Sequence, residues 1–349
     1  MIDFRYHLVS LISVFLALAV GIILGAGPLQ EAIGDQLTDQ VEALRAERIE
    51  LSEDLVETES ELADQNAYAL AAGAELVDGS LEGVTVAVVD AEGVADTVEA
   101  DVVNQLEAAG ARIVAQASLT DAWTSAEDAV LRGTVADGQR EQLEDMVGED
   151  DTTSAVLGAA LGLALTEPDP QAPGVRSDRS AELYELMSRV GLVESRFEPS
   201  GPADAVLLLA GSPADDEATS DTDRAEVPDD VDAVAVVSAL QETAQDVVVA
   251  GPTTTEGELV ADVRADEDAA SRVSTVNGTE RAVMRLNVPL ALAARLVDEV
   301  GHYGFEEDAV VVPPAVELPD EEDGTAGAGT TVGDADAEAD ADAGDGGDS

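Results

Sequence analysis

The sequence contains no cysteine and no lysine, and only 3% of its residues are aromatic. Without cysteine, disulfide bonds, thiolate metal sites and cysteine nucleophiles are excluded. Two histidines in 349 residues leave few candidates for imidazole-based catalysis. Because aromatic residues are scarce, any hydrophobic core must be built from valine, leucine, isoleucine and alanine.

Positive charge is scarce as well. All 16 basic residues are arginine, against 75 aspartates and glutamates, and the formal net charge is −59. Such a chain repels phosphate groups, so DNA, RNA and anionic lipid are disfavoured as partners. Cations and basic protein surfaces remain compatible with this charge. A salty habitat or a coding bias is the simpler explanation of the acidity.

One long apolar run lies near the amino terminus. Residues 8–27 comprise 20 residues, of which 12 are Leu, Ile, Val or Phe. A helix of that length spans about 30 Å, the thickness of a bilayer core. The run begins at Leu8 and includes Phe15, and its Gly21 and Gly25 form a G-x-x-x-G pair that lets two membrane helices approach closely. No second run of this kind follows, which excludes a helical multi-pass transporter.

The run is interpreted as a permanent anchor. A cleaved signal peptide has a basic head, a shorter apolar run and a small-residue exit. Here Arg5 is the single basic residue before the run, and Pro28 follows the small residues at its end. Acidic residues precede Arg45 after the run. The positive-inside rule therefore predicts a cytoplasmic amino terminus and an extracytoplasmic bulk.

Residues 30–72 have the pattern of one long helix. Leucines recur seven residues apart, and a second apolar set lies four residues later, although Arg48 and Thr58 interrupt the repeat. The predicted seam consists of Leu37, Val41, Leu44, Leu51, Leu55 and Leu62. We expect a parallel coiled-coil homodimer, because a membrane anchor would align two copies side by side. A single amphipathic helix packed on its own domain is the alternative.

Beyond residue 80 the pattern alternates between strands and helices. Strands are predicted at 83–90, 111–119, 203–211, 246–251 and 272–278, and helices at 94–111, 125–147, 152–165, 179–191, 233–244 and 280–301. Pro289 is a candidate start for a second helix within the last of these. The alternation predicts a mostly parallel, doubly wound α/β domain. An acidic loop is expected at 213–230, and the Asp-, Ala- and Gly-rich tail is expected to be disordered.

These patterns divide the chain into four parts. They are a cytoplasmic head and transmembrane anchor at 1–29, a coiled coil at 30–72, an α/β domain at 80–314 and a disordered acidic tail at 315–349.

Catalytic and metal-binding motifs are missing from the sequence. It contains no G-x-S-x-G, H-E-x-x-H or Walker sequence, and the turn after the first predicted strand is acidic, which disfavours a dinucleotide. We therefore predict no enzyme, no cofactor and no metal site. Two segments remain as candidate contact sites, and their residues are Ser274, Thr275 and Asn277 at a strand end, and His302 and Tyr303 in GHYG. Turn chemistry for the first segment and a helix C-cap for the second are the structural alternatives.

Two segments of the chain are similar to those of a known protein family. They are the opening FRYHLVSLISVFLALAVGIILG and the GHYG segment. With the order anchor, coiled coil and α/β domain, the chain resembles the copper transport protein B family of actinobacterial envelope proteins over residues 1–314. The resemblance implies copper efflux or tolerance, and related proteins are linked to cell separation. The residues themselves show no cluster of soft copper ligands, since cysteine is absent and Met146, Met187 and Met284, the methionines beyond the start, form no Met-x-x-Met motif.

The sequence therefore supports two hypotheses about function. The first is a non-enzymatic scaffold or regulator in envelope growth or division, in contact with another envelope or division protein. The second is a copper-homeostasis component of the envelope.

Overall fold

The computed structural model describes residues 4–91, 93–148, 150–211, 231–252 and 257–319. The chain divides into two compact units, of which the first ends at Ala72 and the second begins at Gly73. The predicted acidic loop at 213–230 and most of the predicted disordered tail lie outside the described residues.

The first unit is helical. Helix α1 runs from Phe4 to Val77 without interruption, so the apolar run and the heptad segment belong to one helix. Residues 4–25 are long and apolar enough to cross a membrane, and the most apolar 18 residues among them, with a mean hydropathy of 2.7, are not buried within the chain.

The second unit is a mixed α/β structure. In chain order its elements are β1 Thr85–Asp90, α2 Asp96–Ala108, β2 Arg112–Leu119, two 3-10 turns at Asp121–Trp123 and Ala126–Asp128, α3 Ala129–Gln139, α4 Thr153–Thr166, β3 Pro168–Asp169, β4 Ala172–Arg176, α5 Asp178–Arg189, β5 Val193–Phe197, β6 Ala205–Leu209, α6 Ala233–Ala244, β7 Val247–Gly251, α7 Leu259–Ala265, α8 Glu267–Ala270, β8 Ser274–Asn277, α9 Ala282–Arg285, α10 Asn287–Arg295 and β9 His302–Tyr303.

Seven of the described strands form one sheet, in the order β5-β2-β1-β6-β7-β8-β9. Every neighbouring pair is parallel except β2 with β5, which confirms the mostly parallel sheet. Every residue of β1, β6, β7 and β8 is buried, which is typical of parallel strands covered on both faces. Val86 and Leu207 therefore face one side of the sheet, and Ala87 and Leu208 face the other.

Helices α4 and α6 form the densest helix pair on the core. Helix α4 is apolar on all sides, and Thr152 caps its amino terminus by accepting a hydrogen bond from the backbone of Ala155. The backbone of Val236 lies where a Cβ atom on Gly158 would stand, so the two helices approach closely. Their side chains join those of α3, α5 and α7 in the main hydrophobic cluster.

The sequence placed several elements inaccurately. The predicted helix at 125–147 is regular only in α3, which ends at Gln139, and the guanidinium of Arg140 after it donates to the carbonyls of Gly148 and Asp151. The predicted helix at 280–301 is split into α9 and α10, and Pro289 lies in the first turn of α10, where no backbone donor is needed.

Candidate functional site at the β8–β9 corner

The two candidate contact segments lie together at one edge of the sheet. Strand β9 pairs in parallel with β8, so that Thr275 lies opposite His302. The amide of Thr275 donates to the carbonyl of Gly301 at 3.0 Å, and the amide of Gly301 donates to Oγ of Ser274 at 3.1 Å. The GHYG segment is thus a short edge strand, and the alternative of a helix C-cap with a turn is wrong.

Arg264 of α7 joins these strands to the segment that follows them. Its Nε donates to Oγ1 of Thr275 at 2.7 Å, its Nη1 to Oε2 of Glu306 at 3.2 Å and its Nη2 to the carbonyl of Tyr303 at 3.0 Å. Asn277 also donates to Glu306. We call Arg264, Thr275, Asn277, His302, Tyr303 and Glu306 the β8–β9 network.

The charges of the network are matched within it. Burial lowers the pKa of Arg264, and the carboxylate of Glu306 partly offsets that effect. Burial acts to raise the pKa of Glu306, but hydrogen bonds from its own backbone, Asn277 and Arg264 together hold that pKa below its ordinary value. Burial raises the pKa of Tyr303 further above neutrality. Glu306 is therefore charged at neutral pH and pairs with Arg264.

His302 is neutral in this setting. Burial, and then the positive charge of Arg264, lower the pKa of His302. Its Nδ1 lies 2.9 Å from Oγ1 of Thr275. This hydroxyl oxygen also accepts from Arg264, and the imidazole tautomer decides whether Oγ1 or Nδ1 is the donor in the pair. In either tautomer, Nδ1 is held against Thr275.

The glycines of GHYG are required by close packing. A Cβ atom on Gly304 would collide with Asn277 and Glu306, and a Cβ atom on Gly301 would collide with the ring of Tyr303. A larger residue at position 304 would therefore crowd Asn277 and Glu306 of the network, and a larger residue at position 301 would displace the ring of Tyr303.

A surface cleft of about 490 Å³ borders the network. Its walls are formed by Ala261, Arg264, Ala265, His302, Glu306, Glu307, Asp308 and Ala309. The cleft exposes His302 beside a mainly acidic rim. Ser274, Thr275, Asn277 and Tyr303 lie behind it and are buried, so of the five candidate contact residues only half-buried His302 reaches the surface.

This arrangement is a bonding network rather than a catalytic one. A Thr–His pair resembles a nucleophile with its base, but the side chain of Thr275 is fully buried and its hydroxyl accepts from a cation. Within the described ranges, no group of three or more His, Cys, Asp or Glu side chains is arranged to hold a metal ion. Met187 and Met284 are buried, and Met146 is exposed.

The crevice where open α/β sheets commonly bind nucleotides is narrowed by backbone contact. It lies outside the carboxyl ends of β1 and β6. The chain continues from β1 to β2 and from β6 to β7, which lie in opposite directions along the sheet. A Cβ atom on Gly211, after β6, would collide with the backbone of Gly93 and Val94, after β1. These two loops therefore touch where a pyrophosphate would have to enter.

The candidate residues of the first unit lie on the surface of a single helix. Leu8 and Phe15 are exposed, and nothing lies within 4 Å of a Cβ atom on Gly21 or Gly25. The six predicted seam residues have exposed fractions between 39% and 64%. These apolar side chains have no cover within their own unit.

Arg264 and Glu306 were not identified by the sequence analysis as site residues. Neither belongs to a recognisable motif, and Glu306 is one of 75 acidic residues.

Comparison with known proteins gives a consistent result. A family model described as "Copper transport outer membrane protein, MctB" matches residues 1–314. The proteins named "Copper transporter MctB" of Mycobacterium bovis and of two strains of Mycobacterium tuberculosis are 26% identical to this chain over 323 residues. The aligned region covers 89% of this chain and 99% of each relative.

Proposed function

Because the chain belongs to the copper transport outer membrane protein family, we propose that it acts in the cell envelope as a membrane-anchored, non-enzymatic scaffold or regulator of envelope growth or division. The observation that carries this proposal is the exposed apolar stripe of α1. It continues from a membrane-length segment in the same uninterrupted helix.

The anchor is proposed to be permanent and to leave the amino terminus in the cytoplasm. A signal peptide ends in a segment that a protease can bind, whereas here the helix continues through the small residues and past Pro28. Arg5 before the span and the acidic residues after it favour this orientation. Sequencing the amino terminus of the membrane fraction should find Met1 or Ile2, and a chain beginning near Pro28 would contradict the anchor.

The seam is proposed to bind a second copy of the chain in parallel. Side chains at seven-residue intervals are those that a parallel coiled coil buries. Single-pass anchors place two copies in the same orientation, which removes most of the orientational cost of pairing. The α/β unit is proposed to be doubly wound and to offer a contact surface, with His302 in the acidic-rimmed cleft, to another envelope or division protein.

Copper homeostasis is the second candidate function. It is favoured by the name of the family and of its mycobacterial relatives. The arrangement of His302 and the burial of Met187 and Met284 favour an indirect effect on copper tolerance, through envelope integrity or a partner.

Complementation of a deletion strain distinguishes the two functions. The strain receives the wild-type gene, the seam variant Leu44→Glu with Leu51→Glu, or the control variant Ala46→Glu with Ser60→Glu, whose charges lie on the opposite side of the helix. Cell length, septation and copper accumulation are measured with and without added copper. We expect a septation defect without added copper, corrected by the wild type and the control and not by the seam variant. A defect that occurs only with added copper, together with copper accumulation in the cell, would favour copper transport.

A further inference from the structure

A pair of buried carboxyl groups lies at the carboxyl end of β1, separated from β8 in the sheet by β6 and β7. Asp90 ends β1 and Glu99 lies on α2, and each residue is only 3% exposed. Two carboxylates buried this deeply cannot both remain charged without strong partners, because burial penalises charge and each carboxylate repels the other.

The hydrogen-bond donors beside this pair of carboxyl groups donate to Glu99. The side-chain amide of Gln116, from β2, donates to Oε1 of Glu99, and the guanidinium of Arg196, from β5, donates to Oε2. Arg196 also lies 3.3 Å from Asp96, which is at the exposed start of α2. Glu99 is therefore satisfied as a charged acceptor.

Asp90 has no comparable support. Among the described residues, neither of its carboxyl oxygens has a hydrogen-bond donor. Glu99 lies within hydrogen-bonding reach, but two ionised carboxylates can only accept. The hydroxyl of Ser118 is near and completes no hydrogen bond. Strand β6, on the other side of β1, contributes only apolar side chains.

We propose that Asp90 and Glu99 form a proton-binding site, in which Asp90 retains its proton at neutral pH and donates it to the charged carboxylate of Glu99. With its proton bound, Asp90 can donate a hydrogen bond to Glu99. It therefore does not depend on a donor from another described residue. When the proton leaves to solvent base, the O–H bond of Asp90 breaks and two buried carboxylates share the single cation of Arg196.

The direction of the electrostatic effects agrees with this geometry. Burial, followed by the hydrogen bond and the charge of Glu99, raises the pKa of Asp90 to about 8, while Arg196 and Ser118 act in the opposite direction. The folded chain thus holds this proton more tightly than the unfolded chain. The free energy of unfolding should fall as the pH rises from the ordinary aspartate value of 3.8 to about 8.

Infrared spectroscopy of the full chain in detergent tests the protonation directly. The difference spectrum of wild type minus Asp90→Asn, recorded in D₂O near neutral pD, should contain the carbonyl band of a protonated carboxylic acid. The wild type alone should lose this band as the pH is raised past about 8. Its absence near neutrality would overturn the proposal, and the wild-type titration supplies this result even if the variant does not fold.

Thermal unfolding gives an independent test. Trp123 is the single tryptophan and is buried in the α/β unit, so its fluorescence reports the unfolding of that unit within the full chain. The wild-type melting temperature should fall between about pH 6 and pH 8 and level off above that range. The fall should be smaller for Asp90→Asn, whose neutral amide can donate to Glu99, and unchanged for the control Asp96→Asn. If the melting temperature had the same dependence on pH in all three proteins, the proposal would be overturned. A dependence that disappears when EDTA is added would also overturn it, because a bound cation would then occupy the place of the proton.

Discussion

Apolar side chains are used in opposite ways in the two units of this chain. In the α/β unit, the valines and leucines of the central strands are buried by helices of the same unit. In α1, the leucines from Leu8 to Leu24 and from Leu37 to Leu62 are more than half exposed, with Val41 of the predicted seam somewhat less so. The α/β unit supplies its own cover, whereas α1, we propose, is covered by a bilayer over its first part and by a second copy over its next part.

The comparison has a consequence for stability. Burying one leucine side chain is worth about 1.5–3 kcal/mol, so the six seam residues represent a large free energy that is available only on association. The α/β unit should keep its stability when the seam is altered. The following changes test that independence, in order of decreasing effect.

The largest effect is expected from charge in the seam. In a dimer, Leu44→Glu with Leu51→Glu would bury four carboxylates, each at a cost of several kcal/mol, so the variant should be monomeric. Light scattering of the full chain in detergent measures the mass of the protein component. The Ala46→Glu with Ser60→Glu control should keep the dimer mass, and Trp123 should report the same melting temperature in all three proteins. A seam variant that retains the wild-type mass would show that the stripe packs elsewhere.

Truncation of a core side chain in the α/β unit should have the opposite effect. It should lower the stability of that unit and leave the association of the chains unchanged. Leu207 is fully buried in β6, and Leu207→Ala should lower the free energy of unfolding of the α/β unit by about 2–5 kcal/mol. Chemical denaturation followed by Trp123 fluorescence measures this loss, while the mass in detergent should not change. Leu44→Ala is the matched control and should leave the Trp123 transition where it is. Equal effects of the two substitutions on Trp123 would contradict the proposed independence.

The β8–β9 network should give a smaller loss. Arg264→Met removes three hydrogen bonds and leaves Glu306 with Asn277 as its side-chain partner, at an expected cost of about 3 kcal/mol. Arg272→Met is the control, because its ion pair with Glu242 is exposed and such pairs are worth less than about 1 kcal/mol. The same Trp123 denaturation curve distinguishes them. If Arg264→Met unfolds no more easily than Arg272→Met, the network does not stabilise the domain.

The chain should bind no Cu(I) with nanomolar affinity. A selective Cu(I) site needs thiolate, thioether or imidazole ligands, and here Nδ1 of His302 is bonded to Thr275 while Met284 is buried. Competition of the full chain against a chromophoric Cu(I) chelator should reveal no nanomolar site. His302→Ala and Met284→Leu should behave like the wild type. Stoichiometric Cu(I) capture by the wild type that is lost in these variants would restore direct copper handling.

The sequence analysis predicted the elements that have a clear apolar pattern. The apolar run before Gly27 and the apolar runs of β1, β6 and β7 correspond to observed elements, and the mostly parallel sheet followed from their alternation with helices. Strand β5 was missed because VESRF is short, polar and only partly buried at the edge of the sheet. Strand β9 was missed because only two residues of GHYG pair with β8.

The chemistry of the corner was less predictable for a different reason. Thr275 and His302 are 27 residues apart and Arg264 and Glu306 are 42 apart, so their contacts depend on the register between strands and on where α7 ends. The same holds for Asp90 and Glu99, whose burial depends on how α2 packs on the sheet. A sequence pattern identifies the strands, but it does not state which polar side chains they bring together.

A cross-linking measurement tests the central claim, that the stripe of α1 joins two parallel copies of this chain, most directly. Because the chain has no cysteine, Leu44→Cys introduces the sole thiol. In a parallel, in-register dimer the two Cys side chains face each other across the seam, within the reach of a disulfide bond. Mild oxidation of native membranes should convert Leu44→Cys largely to a covalent dimer and leave the control Ala46→Cys largely monomeric. Equal cross-linking of the two variants, or none in Leu44→Cys, would contradict the account.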